Sequence, residues 1–332
     1  MEVSLATMQA VQCAQWGSPA ELRVVEIARP EPAAGEVRIR VAAAGVNFPD
    51  ALIVQRKYQV QPALPFVPGT EVAGTVDAVG EGVRGVSAGE RVMAFTGLGG
   101  FAQYVCAPAT QVVGLPPSID DEVAAAFTLT YATAHHALID RAQLKSSQTL
   151  LVLGAGGGVG LAAVEIGKLI GARVLAAAST DEKLAAAQAQ GADVLINYSS
   201  VDLRETIRTL TEGRGVDVIV DPVGGDMTET ALRSIAWRGR LLVVGFASGD
   251  IPPIPANLLL LKGASAVGVF WGEFARREPA ANGLVLQALS GWLAQGRLRP
   301  LVSRRVGLAE VPQVLEDLLA RRVIGKVVVR PQ

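Results

Sequence analysis

Two cysteines, Cys13 and Cys106, and two histidines, His135 and His136, are all that 332 residues hold of the side chains that bind zinc most readily. A disulfide framework is excluded. A zinc site is hard to build, since structural centres take four Cys or His ligands and catalytic ones usually three protein ligands. The histidines are adjacent, and neighbours on a helix point about 100° apart, so they are read as faces of a helix rather than as a ligand pair. No excess of one charge stands out: 30 Lys and Arg against 31 Asp and Glu leave a net charge of −1. That argues against nucleic acid as a main partner. No window holds about 18 uninterrupted apolar residues, so no membrane span is expected. Met1 to Thr7 lacks the basic start of a secretory signal and is expected to fray. With so few thiols, a cytoplasmic setting fits.

What the chain has is glycine, 36 residues of it, and hydrophobic side chains at 50%. The length points to two domains. The stretch Leu150-Leu-Val-Leu-Gly-Ala-Gly-Gly-Gly-Val-Gly160 is the most informative. Thr149 to Leu153 reads as a buried parallel strand, and Leu161 to Ile170 has helical composition. Ala155, Gly157 and Gly160 then fit a dinucleotide fingerprint with Ala at its first position. Such a turn lets backbone N–H groups approach a pyrophosphate at a helix N-terminus. A second strand, Arg173 to Ala178, completes the unit and makes the fingerprint much stronger than glycines alone.

The first third reads as short alternating strands, Glu36–Ala42, Glu71–Val79 and Arg91–Phe95, with Gly-rich turns. This predicts a small, twisted, mostly antiparallel barrel. Ser118 is read as the cap of a helix whose first turn is acidic, and a longer helix is expected around Tyr131–Ile139. From Thr149 strands are expected at 149–153, 173–178, 194–196, 216–220, 240–244 and 264–269. Helices are expected near 158–170, 181–190, 202–210 and 226–236. That alternation predicts a doubly wound parallel sheet. A helix at Leu284–Gln295 and a last strand, Lys326–Arg330, return the chain to the first domain.

Several separated motifs carry a family resemblance. Pro65-Phe-Val-Pro-Gly-Thr-Glu-Val-Ala-Gly-Thr-Val76 with Val79-Gly-Glu-Gly-Val83 resembles the medium-chain dehydrogenase/reductase superfamily. Gly45-Val-Asn-Phe-Pro-Asp50, Gly154–Gly160, Ile196-Asn-Tyr198 and Gly215-Val-Asp-Val-Ile-Val-Asp221 resemble its zinc-independent, zeta-crystallin-like quinone oxidoreductase branch. The match runs from about Gln9 to Arg330. It implies a Rossmann domain at 128–271 and a GroES-like substrate domain made of 1–127 and 272–332. Zinc-dependent relatives place Cys where Asn47 stands and His where Thr70 stands. Glu71 remains from their pattern and is read as a structural carboxylate.

The resemblance also implies site residues. Ala155, Gly156, Gly157, Gly158, Val159 and Gly160, with Gly245 and Phe246, would hold a nicotinamide dinucleotide. Lys183, Tyr198 and Arg321 match positions that meet a 2′-phosphate in relatives. The second strand ends Ala177-Ala-Ser179 with no acid at its tip, which removes the carboxylate that would repel that phosphate. NADPH is therefore expected. The alternative keeps Ser179 and Glu182 as a capping box, leaves Lys183 solvated and lets Asp181 reach a ribose hydroxyl, favouring NADH.

Asn47 and Tyr58 lie in the segment that lines the substrate cleft in relatives, and Thr130 matches a position near the nicotinamide. Without a metal, hydrogen-bond donors must stabilise charge at the acceptor oxygen. Asn47 is read as an anchor and Tyr58 as a donor or stacking residue. Each also has a plainer reading, Asn47 as a turn residue and Tyr58 as cover for the core. Phe270 and Trp271 are read as aromatic surface or as a wedge, and Arg276 and Arg277 as a CoA phosphate site or as solvated residues. The leading function is quinone reduction by NADPH, with enone, alkenal or acryloyl-CoA-type reduction as its rival. RNA binding or a bulk structural role is a distant third. Ile254–Leu261 with Ala264–Phe270 resembles the family's dimer strand region, so a homodimer is expected.

Overall fold

The computed structural model describes residues 6–332, so most of the expected frayed N-terminus lies outside the described residues. The chain divides into two compact units. One holds the residues up to Leu129 together with Pro279–Gly296 and Pro300–Gln332, and the other holds Thr130–Glu278 with Arg297–Arg299.

The first unit is built from strands β1 (Thr7–Gln12), β2 (Arg23–Ala28), β3 (Glu36–Gly45), β4 (Glu71–Val79), β5 (Arg91–Phe95), β6 (Tyr104–Pro108) and β7 (Val112–Gly114). β1 and β2 form a hairpin-like antiparallel pair. The long β3 is the spine of the main sheet. It pairs antiparallel with β4 and β6, and its Gly45 end pairs with the last strand of the chain. Val37, Ile39, Val41, Val72, Val76, Val92 and Phe101 fill one core, joined by Val311, Val314 and Leu315 from the helix Val311–Leu319. Burying such aliphatic side chains stabilises by roughly 1.5–3 kcal/mol each and holds β3 rigid under the site described below.

The second unit follows with β8 (Thr149–Leu153), β9 (Arg173–Ala178), β10 (Val194–Asn197), β11 (Val216–Asp221), β12 (Ile235–Val243) and β13 (Ser265–Gly268). They make one parallel sheet in the order β10-β9-β8-β11-β12-β13. Every residue of β8 is buried, as a strand covered on both faces requires. The strand order reverses beside β8, and that switch point is where such sheets bind ligands. The chain then re-enters the first unit as β14 (Val302–Val306) and β15 (Lys326–Val329), which pair in parallel.

Several expectations are corrected. The short helix Asp121–Ala125 is capped by the carboxylate of Asp120, not by Ser118. The helix Thr128–His135 passes into a wider π turn over His136–Arg141. The helix Asp226–Arg233 ends before Ile235, because β12 already begins there to pair with Val216 of β11. The run read as part of a dimer strand is a helix, Ala256–Lys262, stopped by Gly263 in the left-handed region; only Ser265–Gly268 is strand. Trp271–Arg277 is a helix of the second unit, so the return to the first unit comes at Pro279 rather than at residue 272.

Candidate active site

The glycine turn follows β8 directly. Gly154 takes φ 60°, a conformation glycine adopts without cost, and Gly157 stands at the cap of the helix Gly158–Ile170. The glycines are not equivalent. A Cβ on Gly160 would lie 2.3 Å from the Gly154 carbonyl oxygen, so only glycine lets this helix pack on the turn. A Cβ on Gly156 would strike the Lys183 stem at 2.5 Å. A Cβ on Gly157 would meet nothing nearer than 3.5 Å. Gly157 therefore faces open space at a helix N-terminus, where the amides of Gly158, Val159 and Gly160 have no carbonyl within the helix to serve. Ala155 is buried and its N–H donates to the Ala177 carbonyl of β9, which fixes the turn against the neighbouring strand.

The tip of β9 lies beside this turn. Thr180, not Ser179, caps the helix Asp181–Ala189, by accepting from the Lys183 amide. Ser179 is thus released from the capping role, and its hydroxyl accepts from Lys183 Nζ at 3.3 Å. Asp181 is tied down at 2.7 Å by the Asn197 side-chain amide. Tyr198 follows β10, its N–H donating to the Ala178 carbonyl and its ring packing on the second unit's core. Ser179, Lys183 and Tyr198 are thus gathered around the end of β9. Gly245 and Phe246 follow β12, where the Gly245 amide donates to the Asp221 carbonyl. Thr130 is buried near the start of the second unit. Arg321 belongs to the first unit, exposed after the helix Val311–Leu319 at φ 58°.

Asn47 and Tyr58 belong to a second cluster, in the first unit. Asn47 stands at the cap of the helix Phe48–Val54, yet its side chain turns away from the helix. Its Nδ2 donates to Glu71 Oε1 at 2.8 Å and to Thr70 Oγ1 at 3.2 Å. Glu71 Oε2 accepts the Leu129 amide at 2.8 Å. Gly45 makes room for this carboxylate, since a Cβ there would lie 2.6 Å from Glu71 Oε1. Lys326 Nζ enters from β15 and donates to Glu71 Oε1 at 2.7 Å, to the Val46 carbonyl at 3.0 Å and to Asn47 Oδ1. Asn47, Thr70, Glu71 and Lys326 are all buried.

Asp50 lies in the same cluster. Its Oδ2 accepts the Asn47 amide at 2.8 Å, and the Thr70 hydroxyl lies against the same carboxyl. Complete burial pushes its carboxyl up to about 7, against the Asn47 hydrogen bond and the Lys326 charge, which favour the ionised form. Tyr58 is half-buried on the first unit's core, and its phenol is pushed up by burial and by the nearby Asp50. It therefore keeps its proton at neutral pH and can donate. Lys326 and Asp50 were not singled out in the sequence. A lysine at the head of a Val-Val-Val strand was the available signal for the first.

Other candidates are accounted for locally. His135 and His136 are buried, which lowers both, and His136 stacks on Phe274 at 4.5 Å. Trp271 is buried and Phe270 exposed. Arg276 and Arg277 both clamp Glu273, holding its carboxyl down to about 2. Among the described residues, no three His, Cys, Asp or Glu side chains converge to hold a metal ion.

Residues 33–117 match the family model described as the alcohol dehydrogenase GroES-like domain. Residues 158–286 match the one described as zinc-binding dehydrogenase. A quinone oxidoreductase-like protein 2 homolog from Nematostella vectensis is 39% identical over 97% of this chain and 88% of its own length. The chain belongs to the quinone oxidoreductase family of medium-chain dehydrogenases/reductases. A mycobacterial structure complexed with NADPH superposes with a TM-score of 0.92 at 33% identity, over 98% of this chain and all of that one. A structure of an NAD-dependent alcohol dehydrogenase superposes with a TM-score of 0.90 at 31% identity and the same coverage. Membership of the family fixes the architecture and an oxidoreductase chemistry.

Proposed function

We propose that this protein is an NADPH-dependent reductase of quinones that works without a metal ion. The observation that carries the reading is the tip of β9. There Lys183 and Ser179 are joined at 3.3 Å, Asp181 is held by the Asn197 amide, and the turn beside them leaves Gly157 open. These residues fit the cofactor. The amides of Gly158, Val159 and Gly160 suit its pyrophosphate. The Lys183 ammonium and the Ser179 hydroxyl suit a 2′-phosphate, with Tyr198 beside them. Gly245 and Phe246 complete the set of residues assigned to the dinucleotide, with Thr130 assigned to the nicotinamide end.

NADPH supplies hydride when bound. The protein's own part is to orient the acceptor and stabilise charge at its oxygen. Tyr58 suits that role, because its phenol stays protonated. Both amide hydrogens of Asn47 are already engaged, by Glu71 and Thr70, so we assign Asn47 to anchoring this wall of the site. A reduced quinone oxygen takes its proton readily from water, so no dedicated protein acid is required. The pairing of Arg276 and Arg277 with Glu273 leaves the acyl-CoA alternative without a free phosphate site.

The assay is NADPH oxidation with benzoquinone, phenanthrenequinone, crotonyl-CoA and acrolein side by side, with and without chelator. Turnover of the quinones that survives the chelator is the expected result. Turnover of the alkenyl compounds alone, or activity lost to chelator and restored by zinc, would reject the reading. We also propose a homodimer, joined along the open edge of β13 near the exposed Trp237, Leu260 and Leu261.

A further inference from the structure

Lys326 is 4% exposed, and all three hydrogens of its ammonium are spent within one shell of oxygen atoms, from Glu71, Val46 and Asn47. It lies 279 residues from Asn47 in the chain, so the fold and not local sequence brings them together. An asparagine amide is nearly symmetric in shape. Which end faces which neighbour is set by its hydrogen-bond partners. Here a buried cation takes the oxygen end, and a carboxylate and a hydroxyl take the nitrogen end. Turned the other way, Nδ2 would face an ammonium and Oδ1 a carboxylate.

We propose that Lys326 is a positioning residue for the reaction, a resident cation that locks the Asn47 amide and, through Asn47, the Thr70 and Asp50 side chains behind Tyr58. The chain of contacts is continuous. Lys326 donates to Asn47 Oδ1. Asn47 Nδ2 donates to Thr70 Oγ1, which leaves the Thr70 hydroxyl hydrogen free to turn to Asp50, whose carboxyl it lies against. The Asn47 backbone N–H donates to the same carboxyl, and the Asp50 charge is felt at Tyr58. Buried networks of this kind hold one arrangement when every member is satisfied and lose it when one is removed. Loss of the ammonium alone leaves Glu71 as an unpaired buried charge, so a single substitution confounds folding with positioning.

The inference rests on the reductase reading above, and its test separates the two. The protein has four asparagines, Asn47, Asn197, Asn257 and Asn282, so selective asparagine labelling gives four side-chain amides to follow by NMR. Hydrogen exchange of the Asn47 amide is compared in the wild-type protein and in the double variant Lys326→Met/Glu71→Gln, which removes both charges and keeps shape. Exposed Asn257 is the internal reference. The expected result is an Asn47 amide about tenfold more protected than Asn257 in the wild type, with that protection lost in the variant at retained Tm. The variant's kcat is expected to fall about tenfold on whichever acceptor the wild type reduces, with the KM for NADPH unchanged. Lys326→Arg, which keeps a cation, is expected to recover part of that loss. Unchanged Asn47 protection, or a kcat that recovers together with Tm in the double variant, would overturn the proposal. A wild type that reduces no acceptor would instead reject the reductase reading, leaving the exchange measurement to judge Lys326.

Discussion

Asp50 and Tyr58 show how one buried carboxyl sets the chemistry of its neighbours. The Asp50 carboxyl holds its proton in the folded chain up to about 7, whereas an unfolded aspartate releases it near 3.8. Between those values the folded state binds the extra proton, so this group's contribution to stability falls as pH rises and is flat above and below. Asp50→Asn removes the charged form. Chemical denaturation across pH is expected to show the variant gaining about 2–4 kcal/mol relative to wild type from pH 4 to 7. A constant difference would mean that Asp50 does not carry the proton. For Tyr58→Phe, kcat/KM for a quinone is expected to fall about tenfold with NADPH binding unchanged, the worth of one hydrogen bond to a charged oxygen. The motif Gly45–Asp50 drew attention to Asn47, but the amide's orientation was beyond the sequence, because its partner Lys326 comes from the far end of the chain. The alternative reading of Ser179 as a cap fails for a local reason, since Thr180 takes that place. Ser and Thr are adjacent there, and either can start a helix.

At the scale of elements, the turn from β8 into the helix Gly158–Ile170 separates glycines that close packing requires from one, Gly157, that we assign to the cofactor. Gly160→Ala forces a methyl against the Gly154 backbone, so a lower Tm is expected together with weaker NADPH binding. Gly157→Ala meets no close atom and has an ordinary backbone conformation, so Tm is expected to stay put. Its methyl would occupy the space left for a phosphate, and calorimetry is expected to show NADPH binding weakened tenfold or more. Equal Tm losses in both variants would remove the distinction. The alternating strands and helices from Thr149 onward were legible because parallel strands buried on both faces give apolar runs that period and glycine mark off. Helix ends were less legible. Asp120 outcompetes Ser118, and the pairing of Ile235 with Val216 ends a helix that composition alone would continue.

The whole molecule leaves apolar surface uncovered. Trp237 is 68% exposed, Leu260 80% and Leu261 70%, and they neighbour the sheet's open edge strand. Sedimentation at micromolar concentration is expected to give twice the 34.5 kDa chain mass, and Leu260→Asp with Leu261→Asp is expected to return the monomer. A monomer in the unsubstituted protein would contradict this. The sequence marked the region as sticky but misread its form, since Ala256–Lys262 carries its leucines on a short helix rather than a strand.

A cofactor site that selects a 2′-phosphate shows itself in the ratio of kcat/KM for NADPH to that for NADH, measured before and after Lys183→Ala. A ratio well above one in the unsubstituted protein is predicted. It should fall about tenfold or more in the variant through loss of NADPH alone, the cost of one charge-assisted contact to phosphate. A ratio at or below one, or a ratio indifferent to the substitution, would contradict it.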